Sequence, residues 1–170
     1  MLTERMEKAI NEQINAEMYS AYLYLSMSAY FEDKGLKGFA KWMYIQNQEE
    51  ITHAMKFFHY VNERGGRIKL TAIEVPDFTW DSPLAVFKQS LEHEKHVTSL
   101  INNLVSISLE EKDYATHSML NWYVDEQVEE EANATEIVNK LELIGDEKTA
   151  LFMLDKELHA RNFVDDTVAK

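Results

Sequence analysis

Cysteine is absent from the 170-residue chain, and with it go disulfide frameworks, thiolate zinc sites, Cys-ligated iron–sulfur clusters and every mechanism that needs a Cys nucleophile. A secreted, disulfide-stapled protein is excluded. Five Gly and two Pro, against average usage of about 7% and 5%, are too few for the turns of an all-β or α/β fold. Basic residues are scarce as well: 17 Lys and Arg against 30 Asp and Glu leave a net charge of −13. That balance repels nucleic-acid phosphates and anionic membrane surfaces and suits metal cations or cationic partners. Long apolar runs are also missing. The longest uncharged stretch, Met18 to Phe31, is fourteen residues, short of the roughly 20 that span a bilayer. The N-terminal MLTERMEKAINEQ lacks the apolar core of a secretory signal. The expectation is a soluble cytoplasmic protein with neither a membrane nor a nucleic-acid partner.

What is present is apolar content of 45%, enough for one well-buried core, so residues 1–170 are read as a single domain. The rare breakers divide it. Gly35 and Gly38 separate a first helix, α1, at about 4–33 from α2 at about 37–64, which Gly65-Gly66 terminates. Residues 67–81 carry β-branched and aromatic residues and Pro76 but no helical period, and are read as an extended crossover. Ser82 and Pro83 form an N-cap and first-turn pair that starts α3, which runs to about 109. After the charged turn 110–113, α4 continues to 144, where Gly145 stops it, and a shorter α5 covers about 147–163. Four helices of this length measure about 40 to 48 Å and pack side by side, predicting an all-α four-helix bundle with one long α2–α3 crossover and a short fifth helix.

Each long helix carries an inward seam of three- and four-residue spacings. These seams are Ile10, Gln13, Glu17, Ser20, Tyr24, Met27, Phe31 on α1 and Phe39, Met43, Gln46, Glu50, His53, Phe57, Tyr60 on α2. On α3 the seam is Leu84, Phe87, Leu91, Glu94, Thr98, Ile101, Val105, and on α4 Leu120, Tyr123, Gln127, Glu130, Ala134, Ile137, Leu141. All four are apolar toward their ends and polar near the middle. Glu17, Glu50, His53, Glu94, Gln127 and Glu130 therefore fall at one level inside the bundle. Buried, mutually repelling carboxylates are offset only by cations or by a water-filled cavity. Four carboxylates and a neutral imidazole balance two divalent ions, and an oxygen-rich set with one nitrogen favours Fe(II) or Mn(II) over structural zinc.

Other residues are less determined. The run Asp125 to Glu131 reads first as a solvated helix face, yet Gln127 and Glu130 point inward and leave Glu126 and Glu129 flanking them. With Glu49 these make a candidate third, looser cation site. Tyr24 lies two turns from Glu17 on one face, as a hydrogen-bond or electron donor to the centre or as a packed core tyrosine. His59, His93, His96, His117 and His159 have no paired ligand spacing and are read as surface or satisfied residues.

The chain resembles the haem-free ferritins of bacteria and archaea. The likeness covers nearly its whole length, through NEQINAEMYSAYLYLSM in α1, Gln48-Glu49-Glu50 with His53 in α2, the ERGGRIKL start of the crossover and WYVDEQVEEE in α4. The resemblance implies a ferritin-like fold and a 24-subunit shell that oxidises Fe(II) with O2 and stores ferric oxide. By position, Glu17, Glu50 and His53 resemble the first iron site of a dinuclear centre, and Glu94 and Glu130, sharing Glu50, the second. Gln127 resembles its hydrogen-bonding or weakly liganding neighbour, Glu49, Glu126 and Glu129 the third site, and Tyr24 the tyrosine beside the centre. Bacterioferritins carry a second ExxH in α4 and a haem-binding Met after the α2 Glu. Gln127 to Glu130 and Ile51 stand there instead, so no haem is expected. In animal ferritins, carboxylates line the threefold pores at places corresponding to His117 and Leu120.

Met18 to Phe31 is uncharged on every face, whereas a bundle helix buries a stripe of about 100° or somewhat more. Tyr19, Tyr22, Leu23 and Tyr30 are therefore expected to need partners, supplied by a closed homo-oligomer. The competing class is a non-catalytic bundle that binds partners through its acidic surface, with the polar layer tuning packing.

Overall fold

The computed structural model describes residues 1–165 and 167. It contains α1 (Glu4–Asp33), α2 (Lys37–Glu63), α3 (Pro83–Glu110), α4 (Tyr114–Ile144) and α5 (Lys148–Leu158), with no strand among the described residues. Helix starts follow local chemistry. The Thr3, Ser82 and Asp113 side chains accept from the backbone N–H groups of Met6, Ala85 and Thr116, supplying the orphan first-turn donors with acceptors. Leu36, the residue before α2, has no capping side chain. Asp155 of α5 supplies the cap from outside: its Oδ1 accepts from the N–H of Gly38 at 2.8 Å and of Phe39 at 3.1 Å. A β-carbon on Gly38 would lie 1.6 Å from the Asp155 carbonyl oxygen, so only glycine permits this approach.

α1 pairs with α2 and α3 with α4, α1 also packs on α3, and α5 lies mainly against α2. Polar side chains of α1 hold the crossover along that helix. Asn11 donates to the Arg67 carbonyl and accepts from the Lys69 N–H, Asn15 donates to the Ala72 carbonyl, and Ser26 donates to the Asp77 carbonyl. The extended backbone thus finds partners outside any sheet.

The interior is two apolar clusters with a polar layer between them. One gathers Tyr24, Met27, Phe31, Phe39, Phe87 and Leu141 with Leu154 and Leu158 of α5. The other gathers Met6, Ile10, Ile14, Phe57, Ile101, Leu104, Leu120 and Tyr123. Each large side chain buried there contributes about 1.5–3 kcal/mol. No helix among the described residues is long and apolar enough to cross a membrane.

Three expectations need correction. α5 ends at Leu158, not near 163, because the chain after it turns polar and leaves the helix to follow α2, where Lys41 Nζ donates to the His159 carbonyl at 2.8 Å. On α3 the buried line is Phe87, Ser90, Glu94, Val97, Ile101, Leu104, Ser108, while Leu84, Leu91, Thr98 and Val105 lie half-buried at its edge. That helix is rotated so that Val97 and Leu104 take the central positions. Leu23 is buried within the chain's own core and Tyr19 and Tyr30 pack against it, leaving Tyr22 and Leu25 as the exposed apolar surface of that stretch. Leu120 is fully buried inside the bundle, as its place on the α4 seam requires.

Candidate metal centre

The helix midpoints coincide, and the seam residues expected there are buried together: Glu17, Glu50, His53, Glu94, Gln127 and Glu130, with Tyr24 at the edge of the apolar cluster next to them. Amides of the same seams hold the carboxyls. Gln13 Nε2 donates to Glu17 Oε1 at 2.9 Å, Gln46 Nε2 to Glu130 Oε2 at 2.8 Å, and Gln127 Nε2 to Glu94 Oε2 at 3.2 Å. The Tyr24 hydroxyl donates to Glu94 Oε1 and lies 3.1 Å from Ser90 Oγ. From below, Tyr123 donates to the His53 carbonyl at 2.7 Å and fixes that turn of α2.

Desolvation dominates the electrostatics. Burial lifts the Glu17 carboxyl from 4.5 to about 7 and holds Glu50 and Glu130 well above the usual carboxylate range, and Glu94 is raised for the same reason. The negative charge of Glu94 adds to the rise at Glu17, Glu50 and Glu130. His53 moves the opposite way, to about 4, through burial first and the Lys56 charge second. It is neutral at pH 7, the form that ligates metal.

Glu17 Oε2 and His53 Nε2 are buried without a hydrogen-bond partner among the described residues. A buried acceptor left without a donor costs about 1–3 kcal/mol. The carboxylate oxygen offers lone pairs, the neutral ring offers one on whichever nitrogen lacks the proton, and a cation is the partner that uses both. Single ligand atoms of Glu17, Glu50 and His53 lie within 4.8 Å of one another, and so do those of His53, Glu126 and Glu130. His53 stands between the two groups, Nδ1 3.5 Å from Glu50 Oε2 and Nε2 3.9 Å from Glu126 Oε1. Carboxylate oxygens with one imidazole are a donor set for a divalent transition ion.

The flanking carboxylates are placed differently from one another. Glu126 turns toward His53 and Glu130, Glu129 is exposed, and Glu49 Oε2 accepts from Arg161 Nη2 at 2.6 Å. Ile51 is exposed on the face of α2 away from the core. Sequence reasoning gave no role to Gln13, Gln46, Ser90 or Arg161. The two glutamines were legible, since each precedes a seam Glu by four residues; Arg161 carries no such signal. Among the remaining histidines, His93 is satisfied by Ser20 Oγ at 2.7 Å and His59, His96 and His159 are exposed, but His117 is half-buried with Nδ1 lacking a partner among the described residues, contrary to the expectation of a surface or satisfied ring.

A family profile described as "Ferritin-like domain" matches residues 7–144. A bacterial non-heme ferritin of Bacteroides fragilis is 48% identical over 161 residues, covering 95% of this chain and all of the relative. One from Staphylococcus aureus is 41% identical over 163 residues, covering 96% and 98%. Among solved structures, a novel open pore ferritin from the hyperthermophilic archaeon Archaeoglobus fulgidus superimposes with a TM-score of 0.95 at 59% identity, covering 95% of this chain and 100% of that one. A closed form of the A. fulgidus ferritin, engineered by site-directed mutagenesis, gives a TM-score of 0.95 at 58% identity, covering 96% and 100%.

Proposed function

This chain belongs to the ferritin family, and from that premise we propose that it is an iron-storage protein with ferroxidase activity, built as one ferritin-like unit and working in the cytoplasm. The observation that carries the reading is the buried layer of Glu17, Glu50, His53, Glu94 and Glu130 with acceptor atoms that lack donors. Glu17, Glu50 and His53 bind one Fe(II). Glu94 and Glu130, with Glu50 shared, bind a second, and the pair forms a dinuclear centre without haem.

Each polar neighbour has a task in this reading. Gln13 and Gln46 hold one oxygen of Glu17 and Glu130, so the remaining lone pairs face inward. Gln127 and Tyr24 do the same for the two oxygens of Glu94. The Glu17 carboxyl, lifted to about 7 by burial, is partly protonated without metal, and Fe(II) uptake releases that proton. Once bound, the two Fe(II) ions supply one electron each to O2. The apolar clusters above and below the layer keep bulk water from the reacting site.

Ferric product then leaves toward mineral inside a shell of 24 copies. The exposed Tyr22, Leu25 and Tyr44 on α1 and α2 support the assembly, since they leave apolar surface that subunit contacts would cover. Glu49, Glu126 and Glu129 form an outer, third iron site.

The test is rapid mixing of the purified assembly with Fe(II) in air, followed by absorbance. Wild type develops ferric colour within seconds without precipitate. Glu50→Ala and His53→Ala each slow the initial phase at least tenfold; unchanged initial rates in both overturn the assignment. A monomer in light scattering overturns the shell.

A further inference from the structure

The segment that follows α5 returns along α2. Lys41 donates to the carbonyl of His159, Arg161 meets Trp42 and Glu49, and Lys56 Nζ lies 3.4 Å from the Thr167 carbonyl. Positions 42, 49 and 56 are seven apart, two turns each, so they form one line along the helix. Residues 159–165 thus lie as a strap beside the α2 edge of the metal centre. Arg161 lies near its start, against the residue adjacent to the ligand Glu50.

The seat of Arg161 is specific and incomplete. Its Nη2 donates to Glu49 Oε2 at 2.6 Å, and its guanidinium lies 4.5 Å from the Trp42 ring centroid, a cation–π distance. Both partners of the ion pair are largely shielded, with 22% and 17% of their side-chain surface exposed. Its second arm, Nη1, is buried with no acceptor among the described residues. The positive charge also reaches the centre, where it counters part of the rise in the Glu130 carboxyl. A side chain that satisfies one arm of its fork and strands the other forms a pair that a better cation can replace.

We propose that Arg161 is a tethered counter-cation for Glu49, so that a third divalent ion binds at the outer site only by displacing the guanidinium from it. The inference rests on the reading of the outer carboxylates as an iron site. Glu49 cannot serve both cations at once, because a divalent ion ligated by Glu49 would sit within a few ångströms of a fixed positive charge in a poorly screened place. Arg161 therefore weakens the outer site relative to the inner pair and fixes the order of filling. The strap becomes a reporter of loading: it rests on α2 when the outer site is empty and is released when that site fills.

Zn(II), which does not oxidise, separates binding from turnover. Calorimetric titration of the metal-free assembly at pH 7 is expected to give two tight ions and one weak ion per chain for wild type. Arg161→Gln removes the charge and is expected to tighten the third ion at least tenfold while leaving the first two unchanged. Arg161→Lys loses the planar fork but keeps the charge, and retains a weak third ion within about threefold of wild type. A third-site affinity unchanged in Arg161→Gln overturns the inference alone, as does an equal gain in Arg161→Lys, which would assign the effect to packing. A wild type that takes up no tight pair overturns the ion centre and this inference together.

Discussion

Replacing Glu17 by Gln keeps nearly the same shape and removes one ionisable group from the most crowded part of the interior. In the metal-free chain this group titrates at about 7 instead of its ordinary 4.5, mainly because burial disfavours the anion. Between those values the folded state holds a proton that the unfolded state has lost, so unfolding free energy falls as pH rises. The loss begins near pH 4.5 and is complete just above pH 7. From 4.5 to about 7, at about 1.36 kcal/mol per pH unit, the full loss is about 3 kcal/mol. Glu17→Gln abolishes it, and its amide still offers an oxygen to Gln13. At pH 8 the metal-free variant is expected to be about 3 kcal/mol more stable than wild type, roughly 6–12 °C in melting temperature for a chain of this size. At pH 4.5 the two should nearly coincide. Scanning calorimetry of chelator-treated protein between pH 4.5 and 8 reads the difference directly, and adding Zn(II) should reverse the order by stabilising wild type more. A variant that melts lower than wild type at pH 8, or a gap that does not change with pH, would refute the electrostatic account of the layer.

Two further perturbations test the frame around the centre. Gly38→Ala forces a β-carbon into the Asp155 backbone and should free α5, seen as faster amide exchange over 148–158, while Asp155→Ala, which removes only the cap, should cost about 1 kcal/mol. Tyr24→Phe leaves the tyrosine's packing and removes the hydroxyl that donates to Glu94; it should weaken the second of the two tight Zn(II) ions several-fold and leave the first unchanged, and equal affinities in calorimetry would exclude a role for that bond.

The four long helices were legible because their signals are local: Thr3, Ser82 and Pro83 at starts, and glycines at ends with φ of 73°, 70° and 57° at Gly35, Gly65 and Gly145. The buried polar layer was legible because side-by-side helices turn sequence position into height, so level seam residues must meet. The rotation of α3 was not, since Leu91 and Val97 both fit an apolar stripe and only packing against α1 and α4 chooses between them. The end of α5 and the seat of Arg161 were hidden for another reason. Both depend on contacts more than a hundred residues away, with Gly38 and Glu49, and no spacing rule spans that distance.

The division of the interior by a polar waist bears on how the chain comes apart. Residues of the α5-side cluster and those of the N-terminal-side cluster touch the same four helices but are joined through a layer that repels itself when metal is absent. In that state the helices can fray from either end toward the middle as separate cooperative units, each kept closed by its own aromatic and aliphatic packing. On the proposed di-iron reading, two bound cations convert the waist from the weakest cross-section to the strongest one. Loading with iron thus fuses two half-bundles into a single unit of unfolding, and protection of the central amides becomes a measure of how full the protein is.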